Sequence, residues 1–476
     1  MWLVYLHDLA GVFGSLQGIG LFQFVPGRGA QVFASMPAVR GLPRSQFSGT
    51  ALAPAARSTQ AQSARAGAPR ARVEICSRPE LVRLRHWRHA FADKHKDHRY
   101  YEVVEKTIRQ GFEYRYFVIK NADGEVRGVQ PFFLLDQDLL GGLDPRMRNP
   151  IELVRRAWPR FMMMRTLMVG CAAGEGQLDG ENEWAAKENA ALLASVIGTW
   201  ARKLEAGLVV LKEFPAASRK PLEIFRRAGF ARIPSFPMVR LRLAYDNFDT
   251  YMKDRLGKNT RRKLRKKFRE VERGPAIEMS LVEDIAPVID EVYPLYLQVF
   301  ERSQFRFEKL SKDYFLSLGR RMPDKMRFFV WRRERRIVAF AMCMVHKDTI
   351  YFEYVGLDYR VAFDAHLYHL VIRDLLDWAM ARRLKWCVST SGNYDPKYHM
   401  RFMLDPLDLY VRHTSGLLNA VLKLLLPLAA PVRCLPILKQ FPNYADLWET
   451  SGGQPSKGRA LDAIVRDSAA PQGTRA

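Results

Sequence analysis

The sequence predicts an α/β protein: two domains with mixed sheets, built on one plan and joined by a basic helix. Three observations lead there. A β-hairpin pattern occurs twice, opened by Tyr114–Val118 (YRYFV) and by Met326–Val330 (MRFFV). Each hairpin is followed by the same order of strand, loop, helix and strand, the crossover that joins two parallel strands. Between the copies lies a segment whose lysines and arginines surround a narrow apolar stripe.

Residues 1–73 contain seven Arg, no Lys and one acidic residue in a background of Ala, Gly, Ser, Gln and Pro. Little there could form a core. The segment reads as a disordered leader, as an Arg- and Ser-rich transit peptide, or as a start assigned too early, with Met36 a candidate true start. The first domain is expected over 80–245. Its opening strand is followed by the polar turn KNADGE and the apolar run VRGVQPFFLL. Then come the strand TLMVG (166–170), a Gly-rich loop (Gly170, Gly174, Gly176), a helix over 184–205 and the strand LVVLKEF (208–214).

The linker, 246–275, contains nine Lys or Arg between Lys258 and Arg273 against two Glu. Leu264, Phe268 and Val271 recur at helical spacing, so this is a helix packed on something rather than a loose tail. Its charges are either a plain solvated face, a grip for an anionic partner, or a wall of a binding cleft. Phe268 is its only aromatic residue, whereas single-stranded nucleic acid is held by interleaved aromatics, so nucleic-acid binding ranks second.

The second domain is expected over 276–413. After MRFFV come the turn RRERR, the run RIVAFAMCMV, the strand IYFEYV (350–355), the loop GLDYRVAFD, a helix over 364–382 and the strand KWCVST (385–390). Both crossover helices carry Trp-Ala near their ends, at Trp200–Ala201 and Trp378–Ala379. An apolar segment, 414–450, and a polar tail, 451–476, complete the chain.

At 476 residues and 48% hydrophobic content the chain can bury two or three cores. A net charge of +25 favours anionic partners without naming one. The five cysteines are far apart and form no CxxC, which argues against a disulfide framework or a cysteine zinc site and for a reducing compartment. His86, His89, His95 and His98 form two i, i+3 pairs in a polar stretch and read as a surface helix and loop, not as metal ligands. Nucleotide P-loop and serine-hydrolase motifs are absent. The run 416–441 is broken by Pro427, Pro431 and Pro436 and is too short to span a bilayer. It packs back as extra core, or it lies in a membrane interface.

Three stretches resemble one family. FDTYMKDRLGKNTRRKLRKKFRE (248–270), GFARIPSFPMVRLRL (229–243) and the ending SGNYDPKYHMRF (391–402), together with the duplicated element order, resemble the GNAT acyltransferase superfamily. Within it they resemble the tandem FemAB-like branch of bacterial acetyltransferase-like proteins, including those of the cellulose-biosynthesis type. The resemblance covers about residues 80–413. It implies two parallel strands that splay apart to bind the pantetheine arm of an acyl-coenzyme A, with a helix N-terminus aimed at the pyrophosphate. It places Arg360 at the pyrophosphate turn, although Phe363 stands where ordinary members carry Gly.

The same resemblance implies Glu353 as general base, while strand alternation alone would turn that residue outward, opposite Phe352 and Tyr354. It implies Asn393, Tyr394 and Lys397 as cofactor contacts and Tyr398 as the acid, where a structural turn explains Asn393 and Pro396 equally well. Lys258, Arg261 and Arg262 of the basic helix are expected to draw anionic substrate or cofactor phosphates. The function implied is N-acyl transfer, acetyl-coenzyme A or another acyl-coenzyme A being the donor. The acceptor is an amine on a sugar, peptide or envelope precursor. Aminoacyl transfer from tRNA is the alternative, and a non-catalytic basic protein bound to nucleic acid or an anionic surface is the third. No metal is expected. The setting implied is cytoplasmic, with peripheral contact at the inner membrane face as the alternative.

Overall fold

The computed structural model describes residues 71–138, 163–303 and 307–449. The expected leader and tail lie outside these residues, Ala71, Arg72 and Val73 excepted. In chain order the first half contains β1 (Arg72–Cys76), α1 (His98–Thr107), the hairpin β2 (Glu113–Lys120) and β3 (Val126–Asp138), then β4 (Met163–Val169), α2 (Glu183–Lys203) and β5 (Leu208–Pro215). There follow α3 (Arg219–Arg227), β6 (Ala231–Pro234) and β7 (Met238–Arg242), and the bridging helices α4 (Phe248–Arg255) and α5 (Lys258–Glu272).

The second half repeats the plan with β8 (Ile277–Val282), α6 (Ile289–Arg302), α7 (Lys312–Arg321), the hairpin β9 (Met326–Arg333) and β10 (Arg336–His346), β11 (Thr349–Leu357), α8 (Leu367–Ala381) and β12 (Trp386–Ser389). It closes with α9 (Tyr394–His399), β13 (Met403–Asp405), β14 (Leu407–His413) and α10 (Gly416–Leu425). The two expected hairpins and both crossovers are present, and the fold is two mixed sheets in tandem. Helix starts follow their caps: Asp97, Asn182 and Asn247 accept from the first-turn amides of α1, α2 and α4.

Two strands lie across the boundary drawn from the sequence. The sheets run β1-β2-β3-β4-β5-β14-β6 and β13-β7-β12-β11-β10-β9-β8. Thus β7, expected to close the first domain, pairs antiparallel with β12 of the second. In return β14, expected in the second, sits between β5 and β6 of the first. The reason lies in β5, which is buried along seven of its eight residues. Such a strand needs a neighbour on each edge, and β4 supplies only one.

A buried clamp fixes the exchanged strand. Asp408 on β14 accepts from Arg219 Nε at 2.6 Å and from Arg232 Nη1 at 2.7 Å, with all three side chains enclosed.

Residues 85–98, read as a surface helix and loop, belong to an interface instead. Trp87 is buried and donates to Glu102. Arg99 pairs with Asp324, and Lys325 with Asp97 at 2.6 Å, tying α1 to the end of α7.

The apolar segment after β14 divides in two. Leu426, Ala430, Val432, Leu438 and Phe441 are core, whereas Leu417, Leu418, Val421 and Leu424 of α10 are exposed. No helix among the described residues is long and apolar enough to cross a membrane.

Asp408→Asn leaves two buried guanidinium groups without their counter-charge. Chemical denaturation is expected to show a loss of about 3–5 kcal/mol, the cost of breaking a buried ion pair from one side.

Candidate active site

The centre of the second sheet is irregular at one residue. Antiparallel pairing of β11 with β10 steps from Met342↔Tyr354 to Cys343↔Phe352, so Glu353 is the extra residue of a β-bulge. A bulge breaks the two-residue alternation. Glu353 is therefore buried, like its neighbour Phe352, and does not face outward. At the same level the parallel pairing of β11 with β12 stops, its last pair being Phe352↔Ser389. Beyond it β11 runs on to Leu357 while β12 has ended, which opens a notch between two formerly parallel strands.

In the first sheet the equivalent gap is filled. Pairing of β4 with β5 ends at Val169↔Leu211, and Gly176 N then donates to Glu213 O at 3.0 Å. A Cβ on Gly176 would lie 2.5 Å from Lys212 O, so only glycine lets the loop enter.

That loop carries Glu175 into the junction. Lys96, just ahead of α1 and fully enclosed, donates to Glu175 Oε2 at 2.6 Å and to a Glu353 carboxylate oxygen at 3.1 Å. Burial works to strip the proton from Lys96, but the two carboxylates outweigh it and hold its pKa above the ordinary lysine value. Burial pushes both carboxyls up in turn, and Lys96, helped by His95, more than offsets it. Both stay below the usual carboxylate range. His95 stacks flat on Tyr351 with centroids 3.7 Å apart, its Nε2 lying 3.1 Å from Glu175 Oε1 and 3.6 Å from Glu353 Oε1.

A second carboxyl is held by the next strand residue, Tyr354. Tyr354 Oη donates to Glu308 Oε1 at 3.1 Å. Desolvation pushes the Glu308 carboxyl up to about 7, against the pull of Lys212 and of the Tyr354 hydroxyl. Lys212 donates to Gly174 O at 2.9 Å and lies over the Phe307 ring. Tyr314 links the two groups, with its ring beside Tyr354 and its hydroxyl 2.7 Å from that of Tyr100. One ionised ammonium-carboxylate set at Glu353 and one carboxyl with a pKa of about 7 at Tyr354 thus meet successive residues of β11, an arrangement suited to moving a proton.

Residues 258–398 match the family described as the acetyltransferase (GNAT) domain. Over those residues the chain is similar to a GNAT acyltransferase domain. No curated protein matches the chain. Among solved structures the chain is similar to FemX, at 12% identity over 66% of this chain and 90% of that one with a TM-score of 0.41. It is similar to a tandem GNAT protein from the clavulanic acid biosynthesis pathway, at 12% over 66% and 87% with a TM-score of 0.38. It is also similar to L-PGS from Bacillus licheniformis, at 14% over 56% and 86% with a TM-score of 0.38.

Around the GNAT notch the sequence-predicted residues are spread unevenly. Glu353 lies at its heart. Lys397 is buried at its β12 end, donating to Thr390 O and Gly392 O, both at 2.8 Å. Burial pulls its pKa down to about 7. Asn393 is exposed in the left-handed conformation and bonds the Tyr368 side chain on α8. Tyr394 is buried and donates to Pro237 O at 2.8 Å, a structural tie to the segment before β7. Tyr398 packs on Phe441 of the C-terminal segment, ring centroids 5.4 Å apart, rather than in the Glu353 cluster.

Arg360 is exposed at the turn before α8, but Asp358 holds its guanidinium at 2.9 Å through two bonds. Lys258 and Arg262 are exposed on α5, and Arg261 donates back to Lys253 O. The basic helix itself lies on α8. Lys267 Nζ is 2.8 Å from His369 Nε2, Glu270 is 2.8 Å from His366 at the α8 N-terminus, and Arg373 covers Phe268. Desolvation and then Lys267 push the His369 imidazole down to about 4.

His95, Lys96, Glu175 and Glu308 escaped sequence reasoning. The signal for Lys96 and Glu175 is long-range, since they are 79 residues apart and Glu353 is 257 from Lys96. Glu175 had one local hint, a carboxylate flanked by two glycines.

Lys96→Met leaves two buried carboxylates facing each other. In the wild type their lowered pKa values contribute stability above the usual carboxylate range, lost as pH falls. In the variant both values rise, so stability is lost as pH rises instead. Thermal melts should show a deficit of about 3–5 kcal/mol at pH 8 that shrinks at pH 5.

Proposed function

We propose that the protein transfers an acyl group from an activated donor to an amine, in the notch between β11 and β12. The observation that carries this reading is the bulge at Glu353, set where the parallel pairing ends and the strand edge opens. An extended thiol arm would lie along the open edge of β11, as a further strand would. The carboxylates of Glu175, Glu353 and Glu308 favour an acceptor arriving as an ammonium ion. Glu308 takes the proton from that ammonium. The amine nitrogen then attacks the acyl carbonyl, a C–N bond forms, the C–S bond of the thioester breaks, and the proton shed by the nitrogen ends on the departing thiolate. Acyl-coenzyme A, acetyl in the simplest case, is the donor of this reading. The acceptor is an amine of a sugar, peptide or envelope precursor.

Aminoacyl-tRNA is a second reading of the donor, favoured by the turn before α8. There the amides of Val361, Ala362, Ala365, His366 and Leu367 all donate to carbonyls of the same turn. Asp358 occupies Arg360, and Phe363 stands out into solvent. A pyrophosphate finds few donors on such a turn. The basic face of α5 beside it suits a longer polyanion. Calorimetry with acetyl-coenzyme A and with charged tRNA separates the two. Saturable binding of coenzyme A alone supports the first, and tRNA binding with a steep salt dependence supports the second. If neither binds, the acyltransfer reading is wrong.

Activity should rise with pH through about 7, because Glu308 accepts a proton only once its own has left. Glu308→Gln is expected to remove that limb of the profile and to lower kcat by about 10²–10⁴. An unchanged profile in the variant rejects Glu308 as the base.

A further inference from the structure

Helix α10 is amphipathic, but its apolar face points the wrong way for a core helix. None of its residues is buried. Leu417 is 77% exposed, Leu424 75%, and Val421 49%, and the stripe continues to Leu428 at 58% in the following turn. These positions, spaced by four, three and four, form one line along the helix. The opposite side is what attaches it. Asn419 donates to Gly229 O at 3.0 Å and accepts from His413 N at 3.0 Å. Leu422 packs against the core, and Leu426 is buried beneath it. From there the chain is locked to the body by Ala430, Val432, Leu438 and Phe441. The leucine face is therefore a fixed, outward surface and not a frayed end.

Its surroundings are cationic. Between Arg412 and Lys439 the sequence has Lys423 and Arg433 as well, and no Asp or Glu. Arg412 and Lys423 converge on Gly229 at the foot of the helix, and Lys423, Arg433 and Lys439 are exposed. Ordinary proteins do not leave a line of leucines in water unless something covers it. A second copy of this chain would bring the same basic fringe and a net charge of +25 against itself. Ten residues of helix reach only about 15 Å, too short to span a bilayer but long enough to lie in its surface. An apolar strip with a basic rim is complementary to acyl chains beneath anionic headgroups.

We propose that α10 is a peripheral docking element by which the protein lies on an anionic lipid bilayer. Its leucines enter the acyl boundary while Lys423, Arg412, Arg433 and Lys439 meet the headgroups. The experiment is flotation of the full chain with phosphatidylglycerol vesicles and with phosphatidylcholine vesicles at low and high salt, beside a Leu417→Asp/Leu424→Asp double variant. Both changed side chains are exposed, so the fold is expected to survive, and an unchanged thermal melt verifies it. The wild type should float with phosphatidylglycerol at low salt and much less with phosphatidylcholine. The variant should lose at least about tenfold in partitioning, since two leucines no longer leave water. A wild type that stays with the soluble fraction on anionic vesicles overturns the proposal, as does a variant that floats equally well. A concentration-dependent dimer in light scattering, abolished by the variant, overturns it in favour of self-association.

Discussion

The ammonium group of Lys96 holds the molecule's centre together. It meets one carboxylate from the loop of the first sheet and one from the bulge of the second. An ammonium taken out of water costs several kcal/mol by itself, and only close opposite charge offsets that. The loop glycines exist for this contact. A Cβ at Gly174 would lie 2.6 Å from Lys96 Nζ, and the residue's positive φ suits glycine alone. The bulge at Glu353 exists for it too, since a regular strand would turn that carboxylate away. Remove the lysine and neither distortion has a purpose.

The charges are arranged in two zones. The junction pairs two buried carboxylates with Lys96 in a dry setting, while α5, beside the α8 N-terminus, is strongly positive. On the acyl-transfer reading proposed above, a polyanionic donor would be drawn to that rim. The field of the exposed rim weakens as salt rises, whereas the buried pairs of the junction are screened far less.

Much of the architecture was legible. The hairpins, both crossovers and the basic helix follow from local periodicity, which depends on residues a few positions apart. The exchange of β7 and β14 was not, because which edge a strand joins is decided by distant burial along β5. At the site, Glu353 was legible as a lone carboxylate on an apolar strand, though alternation argued for the wrong face until the bulge was known. His95 and Lys96 sit in a run of histidines, lysines and aspartates that looks like solvent-exposed surface. Nothing local marks Lys96 as fully enclosed, for the groups that pair with it come from elsewhere in the chain. Tyr398 resembled a catalytic tyrosine by its place after the last crossover strand, but the C-terminal segment folds back onto it through Phe441.

The traded strands tie assembly to the order of synthesis. The strand that completes the first sheet, β14, lies almost 200 residues downstream of β5, so the earlier half emerges from the ribosome with an open edge beside a strand that is buried in the finished fold. Domains usually fold as units as they emerge, N-terminal first. Here the first unit must wait until the second has been made. Contacts so far apart in sequence slow closure and lengthen the time an unpaired edge is exposed. Neither half can complete its sheet without a strand from the other.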